Sequence, residues 1–237
     1  HGIMSCGFQD GKGDIMKDLS ASCQKYGLKL GVYLSPADLY QIEHPDGLYG
    51  NLSKYTKRTI PREVPGRPFA NKTTFEFELD DYNEYFMNQL FELLTEYGPI
   101  SELWFDMGSL QPQQSRELYD LVKELQPECM VSGRLGNDVY DFAVMADNKL
   151  PESALHAPWQ SAASMFPETW SWRSWQERGE VDDKVAQKIG SLAEVVSRGG
   201  NYLLNIGPCA DGSVVPFERE VLNRIGAWLE VNGDAVY

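Results

Sequence analysis

The chain is 237 residues long, 42% hydrophobic and 24% charged, with 21 Lys and Arg set against 35 Asp and Glu. That is enough apolar chain to bury a full core, in one domain or at most two. The net charge of -14 excludes a nucleic-acid surface, which needs clustered cations to follow phosphates, and argues against an anionic membrane surface for the same reason.

No run approaches the roughly 18 apolar residues that span a bilayer, so membrane insertion is not expected. The chain opens with His1-Gly2-Ile3 rather than a basic segment followed by an apolar one; an export signal is not expected within it, and a periplasmic or secreted location is. Cys6, Cys23, Cys129 and Cys209 form no C-x-x-C pair, and His1, His44 and His156 show no metal-ligand spacing. Free thiols and no metal site are the expectation. The 12% aromatic content, with six Trp and twelve Tyr, suits a carbohydrate site that stacks sugar faces on rings, and equally a large α/β core.

In chain order, Ile15, Met16, Leu19 and Cys23 recur at helical spacing over 12–26, with Gly27 as the stop. Residues 28–35 (LKLGVYLS) read as a strand ended by Pro36. From 37 to 79, Pro45, Pro61, Pro65 and Pro68 with Gly47, Gly50 and Gly66 interrupt every apolar run, which predicts a long ordered loop. Asp80 or Asp81 is expected to cap a helix whose stripe is Phe86, Leu90, Leu93, Leu94 and Tyr97, ended by Gly98 and Pro99.

Residues 101–108 (SELWFDMG) follow. Leu103-Trp104-Phe105 running into Asp106 and then Gly108 is how a buried parallel strand delivers a carboxylate to its C-terminal end. Capping of the next helix is the alternative role for Asp106, but that helix, near 115–125 with Leu118, Leu121, Val122 and Leu125 on one side, begins too far away. Residues 129–134 (CMVSGR) predict another strand, ending in Arg134; either a surface salt bridge or a polar ligand would use that cation.

From Asn137 to Arg178 helical periodicity is lost, while Tyr140, Asp141, Phe142, Asp147, Glu152, Trp159, Phe166, Glu168, Trp170, Trp172 and Trp175 gather. Carboxyls among Trp rings are expected to have raised pKa values through desolvation. The remainder is regular: a helix stripe Val185, Ile189, Leu192, Ala193 and Val196, a buried strand over 201–208, and a closing helix from Pro216 that buries Phe217, Val221, Leu222, Ile225, Trp228 and Leu229, with Glu220 and Arg224 paired. Alternating strand and helix predict a parallel sheet or barrel with helices outside.

Several of these segments, in this order, resemble glycoside hydrolase family 29, the α-L-fucosidases: Gly11-Lys12-Gly13-Asp14, the strand from Gly31 to Ser35, Trp104-Phe105-Asp106, Pro158-Trp159-Gln160, residues 197–208 (SRGGNYLLNIGP), Asp211-Gly212 and residues 225–237 (IGAWLEVNGDAVY). The resemblance spans essentially the whole chain. It implies an α/β, TIM-like (β/α) barrel, incomplete or distorted, forming a single catalytic domain over 1–237 with long loops at the C-terminal face of the strands. It also implies a cofactor-free retaining exo-hydrolase that releases terminal α-L-fucose from fucosylated glycans. On this basis Asp106 matches the nucleophile, Trp104 an active-site aromatic, Arg134 a sugar-contacting arginine and Trp170 a wall near the fucose methyl group; Tyr33 is grouped with them as substrate-binding.

A retaining mechanism needs a second carboxyl roughly 5 Å from the first, giving and then taking a proton. Gln160 stands where many members of the family have a Glu, so the ranked candidates become Asp147, Glu152 and Glu168. The family's first barrel strands and a His-His-Asp-Gly-Phe segment would precede Gly2, so the expectation is a barrel with open strand edges and a homo-oligomer that covers them. A fucose-binding pseudoenzyme and a hydrolase of a related sugar such as α-L-galactose are the alternatives.

Overall fold

The computed structural model describes residues 13–35, 59–61, 74–76, 79–106, 110–152 and 155–237, with the side chains of 59–61, 74–76 and 79–85 outside the description. The Gly11-Lys12 end of the first matched motif, most of the 37–79 loop, and Met107 and Gly108 lie outside these residues. Two compact units divide at Asp141 and Phe142.

In the first unit, α1 (Ile15–Tyr26) is capped by Asp14, whose Oδ1 accepts from Lys17 N at 3.1 Å, and is closed by Gly27 at φ 68. Its buried face is only partly the expected one. Met16 and Cys23 pack on the core and Ser20 is buried, whereas Ile15 and Leu19 are exposed. Ser20 takes the place closest to its neighbour because its hydroxyl donates to Tyr97 O, a tertiary bond that periodicity does not encode.

Strands β1 (Gly31–Leu34), β4 (Glu102–Phe105) and β5 (Met130–Val131) form a parallel sheet in the order β1-β4-β5. Two short strands, β2 (Thr59–Pro61) and β3 (Thr74–Glu76), pair antiparallel beside them in sequence. The Leu103-Trp104-Phe105 run is buried throughout because β4 is central, with a strand on each side and helices on the crossovers. Burial of Leu103 and Phe105 stabilises the unit by about 1.5–3 kcal/mol each.

Helix α2 (Leu79–Glu96) begins before Asp80 and Asp81, which therefore lie in its first turn and are not its cap. Its stripe is as expected, Phe86, Leu90, Leu94 and Tyr97 being buried. Gln126 closes its far end: Nε2 donates to Leu94 O at 2.7 Å and Gly98 O at 3.0 Å, while Oε1 accepts from Ile100 N at 2.8 Å. Helix α3 (Pro112–Leu125) starts three residues before the expected 115 because Pro112 occupies its first turn and Gln114 Oε1 accepts from Gln111 N at 2.8 Å.

The second unit holds β6 (Ala143–Val144), β7 (Trp159–Ser164) and β8 (Asn201–Asn205), parallel and in that order, with α4 (Val181–Ser197) and α5 (Pro216–Asn232). Its core is Met165, Phe166 and Val221, with Val185, Leu204 and Phe217 packed against them. β7 falls where no strand was expected. Its sequence, Trp-Gln-Ser-Ala-Ala-Ser, lacks β-branched residues, yet all six are buried because it is the central strand. β8 departs in the opposite sense, its residues ranging from half-buried to exposed; among the described residues it pairs with β7 alone. Among the described residues the strands form these separate sheets and no closed barrel.

Candidate active site

Parallel register and the period of two build the first cluster. Tyr33 on β1 lies opposite Trp104 on β4, and Asp106 follows Trp104 by two residues, so all three side chains leave the same face of the sheet. Tyr33 and Trp104 stack at 5.7 Å between ring centroids with planes 18° apart. The Tyr33 hydroxyl donates to Asp106 Oδ2 at 2.7 Å.

Arg134 comes from the turn Gly133–Leu135 just past β5 rather than from the strand itself. Its Nη1 lies 3.1 Å from Asp106 Oδ1 and its guanidinium 4.8 Å from the centre of the Trp104 ring. Both carboxylate oxygens of Asp106 are thus held by donors, and Trp104 lies between a phenol and a guanidinium. The Asp106 side chain is 14% exposed, that of Arg134 24%, and Tyr33 57%, so the cluster is open on the tyrosine side. Backbone bonds fix the strand end: Asp106 N donates to Leu34 O at 3.3 Å, and the Ser35 hydroxyl to Asp106 O at 3.1 Å. Of the two roles open to Arg134 in sequence, the surface salt bridge is replaced by a half-buried pair with Asp106 beside an aromatic face.

A second network lies behind β5. Asp141 Oδ2 accepts from Val131 N at 2.7 Å and from Lys123 Nζ at 2.8 Å, and Oδ1 accepts from Tyr119 at 2.9 Å. Burial pushes this carboxyl's pKa up, but the Lys123, Val131 and Tyr119 bonds outweigh it and leave the value lowered. The expected desolvated, raised carboxyl is therefore not Asp141. Cys129, buried alongside, is pushed up to about 11 by burial, which leaves it an unreactive thiol at neutral pH.

The second unit carries the remaining candidates. Asp147 sits in the exposed turn just past β6, at the C-terminal end of that sheet's parallel strands. Its neighbour Asn148, at φ 55, ties the turn to β7: its N donates to Ala162 O at 2.8 Å and its Oδ1 accepts from Ser164 N at 2.9 Å. Glu152 and Glu168 are exposed in loops, while Gln160 is buried in β7. None of these acids is enclosed by Trp rings.

A carboxyl outside the expected set is the desolvated one. Glu218, in the first turn of α5, is 3% exposed and shares a small polar recess with Trp170, Trp172 and Arg178. Its pKa is raised by burial, against the opposing pull of Gly207 N and Arg178. Its Oε2 accepts from Gly207 N at 3.4 Å, and a Cβ on Gly207 would stand 2.4 Å from Trp172 N. Asn205 Nδ2 completes the arrangement, donating to Trp170 O at 2.8 Å. The end of β8 thus clamps the Trp170–Trp172 segment, leaving both rings 41% exposed. Helical periodicity could not flag Glu218, because its burial comes from the loop after β8 and not from its own helix.

Among the described residues no group of His, Cys, Asp and Glu could hold a metal ion, and no helix is long and apolar enough to cross a membrane. The sequence profile of the family described as Alpha-L-fucosidase matches residues 5–234. The chain belongs to the α-L-fucosidase family.

Human plasma α-L-fucosidase is 29% identical to this fucosidase-family chain over 238 residues, covering 95% of the chain and 45% of the relative. Bovine tissue α-L-fucosidase is 30% identical over 234 residues, covering 94% and 44%. The chain therefore spans less than half the length of these curated relatives. Among solved structures, α-L-fucosidase isoenzyme 1 from Paenibacillus thiaminolyticus matches with a TM-score of 0.75 at 29% identity, over 96% of this chain and 54% of that one. The α-L-fucosidase AlfC from Lactobacillus casei, in complex with α-L-fucose product, matches with a TM-score of 0.66 at 28% identity, over 95% and 68%.

Proposed function

We propose that this chain carries the machinery of a retaining exo-α-L-fucosidase, with residues 1–237 working as one catalytic domain on a distorted (β/α) barrel and releasing terminal α-L-fucose from fucosylated glycans. The observation that carries this reading is the grip of Tyr33 and Arg134 on Asp106 beside the Trp104 face, at the end of a parallel strand. Family membership supports the proposed substrate class.

In the reaction, Asp106 attacks the anomeric carbon as the glycosidic C–O bond breaks, and the departing oxygen takes a proton from a second carboxyl. That carboxylate then takes a proton from water, whose oxygen displaces Asp106 and releases fucose, returning both groups to their starting states. Arg134 and Tyr33 keep the nucleophile from rotating between the two displacements, and Trp104 and Trp170 offer apolar faces to the sugar.

Asp147 is the proposed proton donor, ahead of Glu152 and Glu168. It stands at the C-terminal end of its own sheet, as Asp106 does in the other, and Asn148 pins its turn. Gln160 is an amide and cannot serve. A self-associated state is part of this reading, since strand edges left unpaired among the described residues favour pairing between copies; light scattering that shows a monomer at every concentration refutes that part.

The test is hydrolysis of an aryl α-L-fucoside by the chain, by Asp106→Ala, and by Asp147→Ala and Glu152→Ala with and without azide. Asp106→Ala is expected to lose at least about 1000-fold in kcat, and azide to restore turnover in Asp147→Ala as a fucosyl azide forms. Parental activity in Asp106→Ala overturns the mechanism.

A further inference from the structure

The second unit contains a feature that fucoside hydrolysis does not use. Lys188, on the inner face of α4, is only 6% exposed, at a position where the apolar stripe of that helix would place a hydrocarbon. Its ammonium donates to Ser164 O at 2.7 Å and enters none of the ion pairs among the described residues. One carbonyl satisfies one of three N–H groups, and a buried ammonium with no counter-charge is costly. Burial, reinforced by Lys184, lowers its pKa to about 8.

Lys188 does not face packed protein. It lines a cavity of about 260 Å³ between α4, β7 and the 148–150 segment, together with Lys149, Ser191, Glu194 and Tyr202. Glu194, the one carboxylate lining it, is already paired with Arg198 at 2.8 Å. The Tyr202 hydroxyl is buried; Ser191 acts on it, but it makes no hydrogen bond of normal geometry. On a chain of net charge -14, two lining lysines, Lys149 and Lys188, against one engaged glutamate make a local reversal of sign.

We propose that this cavity is a binding site for a small oxyanion, held by the Lys188 ammonium with the Tyr202 hydroxyl as a further donor. The volume is slightly below that of most ligand clefts and has room for a phosphate or a short carboxylate. The anion supplies the missing counter-charge and accepts the unused N–H groups. The proposal does not rest on the fucosidase reading: Lys188 and Tyr202, the groups that would hold the anion, have no part in that reaction, although Asn148 lines the cavity as well as pinning the Asp147 turn.

Thermal unfolding in an anion-free zwitterionic buffer, with inorganic phosphate or acetate added, tests it on the parent chain, Lys188→Met and Arg134→Met. About 20 mM phosphate is expected to raise the parent Tm by about 4 °C for a dissociation constant on the order of 1 mM. The shift is expected to vanish in Lys188→Met and to persist in Arg134→Met, which removes instead the guanidinium paired with Asp106. Without anion, Lys188→Met is expected to be at least as stable as the parent, since an apolar side chain replaces an uncompensated charge. A response to acetate as well as phosphate marks a carboxylate-type ligand, and a response to phosphate alone a phosphate-type one.

No shift in the parent means that the cavity holds water only and overturns the proposal, as does an equal shift in Lys188→Met. Should Lys188→Met fail to fold, protection on the parent decides. Phosphate is expected to slow reductive methylation of Lys188 by formaldehyde and borohydride, read by peptide mass; unchanged labelling overturns the proposal.

Discussion

Replacing Asp141 by Asn tests how Arg134 is held. Three donors, Val131 N, Lys123 Nζ and Tyr119 Oη, converge on the two oxygens of this carboxylate within 2.7–2.9 Å. An amide keeps one acceptor oxygen and turns an NH₂ toward the remaining donors, so the charge-assisted bond to Lys123 is weakened and one donor is left facing another. Hydrogen bonds to charged groups contribute about 1.5–3 kcal/mol, and an unsatisfied buried donor costs about 1–3 kcal/mol. The side chains of Asp141 and Lys123 are 17% and 24% exposed, so solvent screening discounts both, and about 2–3 kcal/mol is the expected net loss. For a chain of this size that corresponds to a fall in Tm of about 4–12 °C at neutral pH.

The pH dependence gives a second, independent readout. The folded pKa of Asp141 lies below its ordinary value of 3.8, so the native state binds this proton less readily than the unfolded one. Its stabilisation is fully present above pH 3.8 and is lost as pH falls through the lower folded value. The gap between parent and Asp141→Asn, followed by tryptophan fluorescence during heating, is therefore expected to be constant from about pH 5 to 7 and to shrink below about pH 4. Because Arg134 lies three residues beyond Val131, kcat/KM for an aryl fucoside is expected to fall as well. A variant with the parental Tm, or a gap that does not narrow in acid, refutes the reasoning.

Tyr33→Phe removes the 2.7 Å bond to Asp106 while keeping the ring stacked on Trp104; kcat is expected to fall about 10-fold with little change in Tm, because the hydroxyl is near solvent. Steady-state kinetics beside a melting curve checks this, and an unchanged kcat removes Tyr33 from the machinery. Gly207→Ala forces a methyl group toward Trp172 N, 2.4 Å from the ideal Cβ. It is expected to cost about 1–3 kcal/mol and to raise KM more than it lowers kcat, through displacement of the Trp170–Trp172 segment; kinetics with unchanged KM count against a sugar-facing role for those rings. Glu218→Gln keeps an acceptor for Gly207 N and is expected to preserve more than half of the parental kcat/KM, whereas an Asp147-like collapse would make Glu218 the proton donor instead.

Much of the chemistry is legible in the linear chain. The run Leu103-Trp104-Phe105-Asp106 specifies a buried strand that ends in a carboxylate, because consecutive large apolar residues fit a strand covered on both faces. Ser197-Arg198-Gly199-Gly200-Asn201 and Trp104-Phe105-Asp106 carry the family resemblance through residue identity alone. Helix ends were equally readable at Gly27 and Gly98, where left-handed backbone favours glycine.

Other features depend on partners distant in sequence. β7 is buried because two strands flank it, not because Trp-Gln-Ser-Ala-Ala-Ser favours a strand. Which acids are desolvated depends on the same kind of partner: Asp147, Glu152 and Glu168, near tryptophans along the chain, are exposed, while Glu218, 48 residues beyond Trp170 in sequence, is buried in a recess with that aromatic segment. The register of β1 against β4 brings Tyr33 onto Asp106, and the turn after β5 brings Arg134 to its other oxygen. Periodicity specifies which face of an element is apolar; only tertiary packing decides which polar groups are enclosed with it, because their burial is determined by neighbours from other elements.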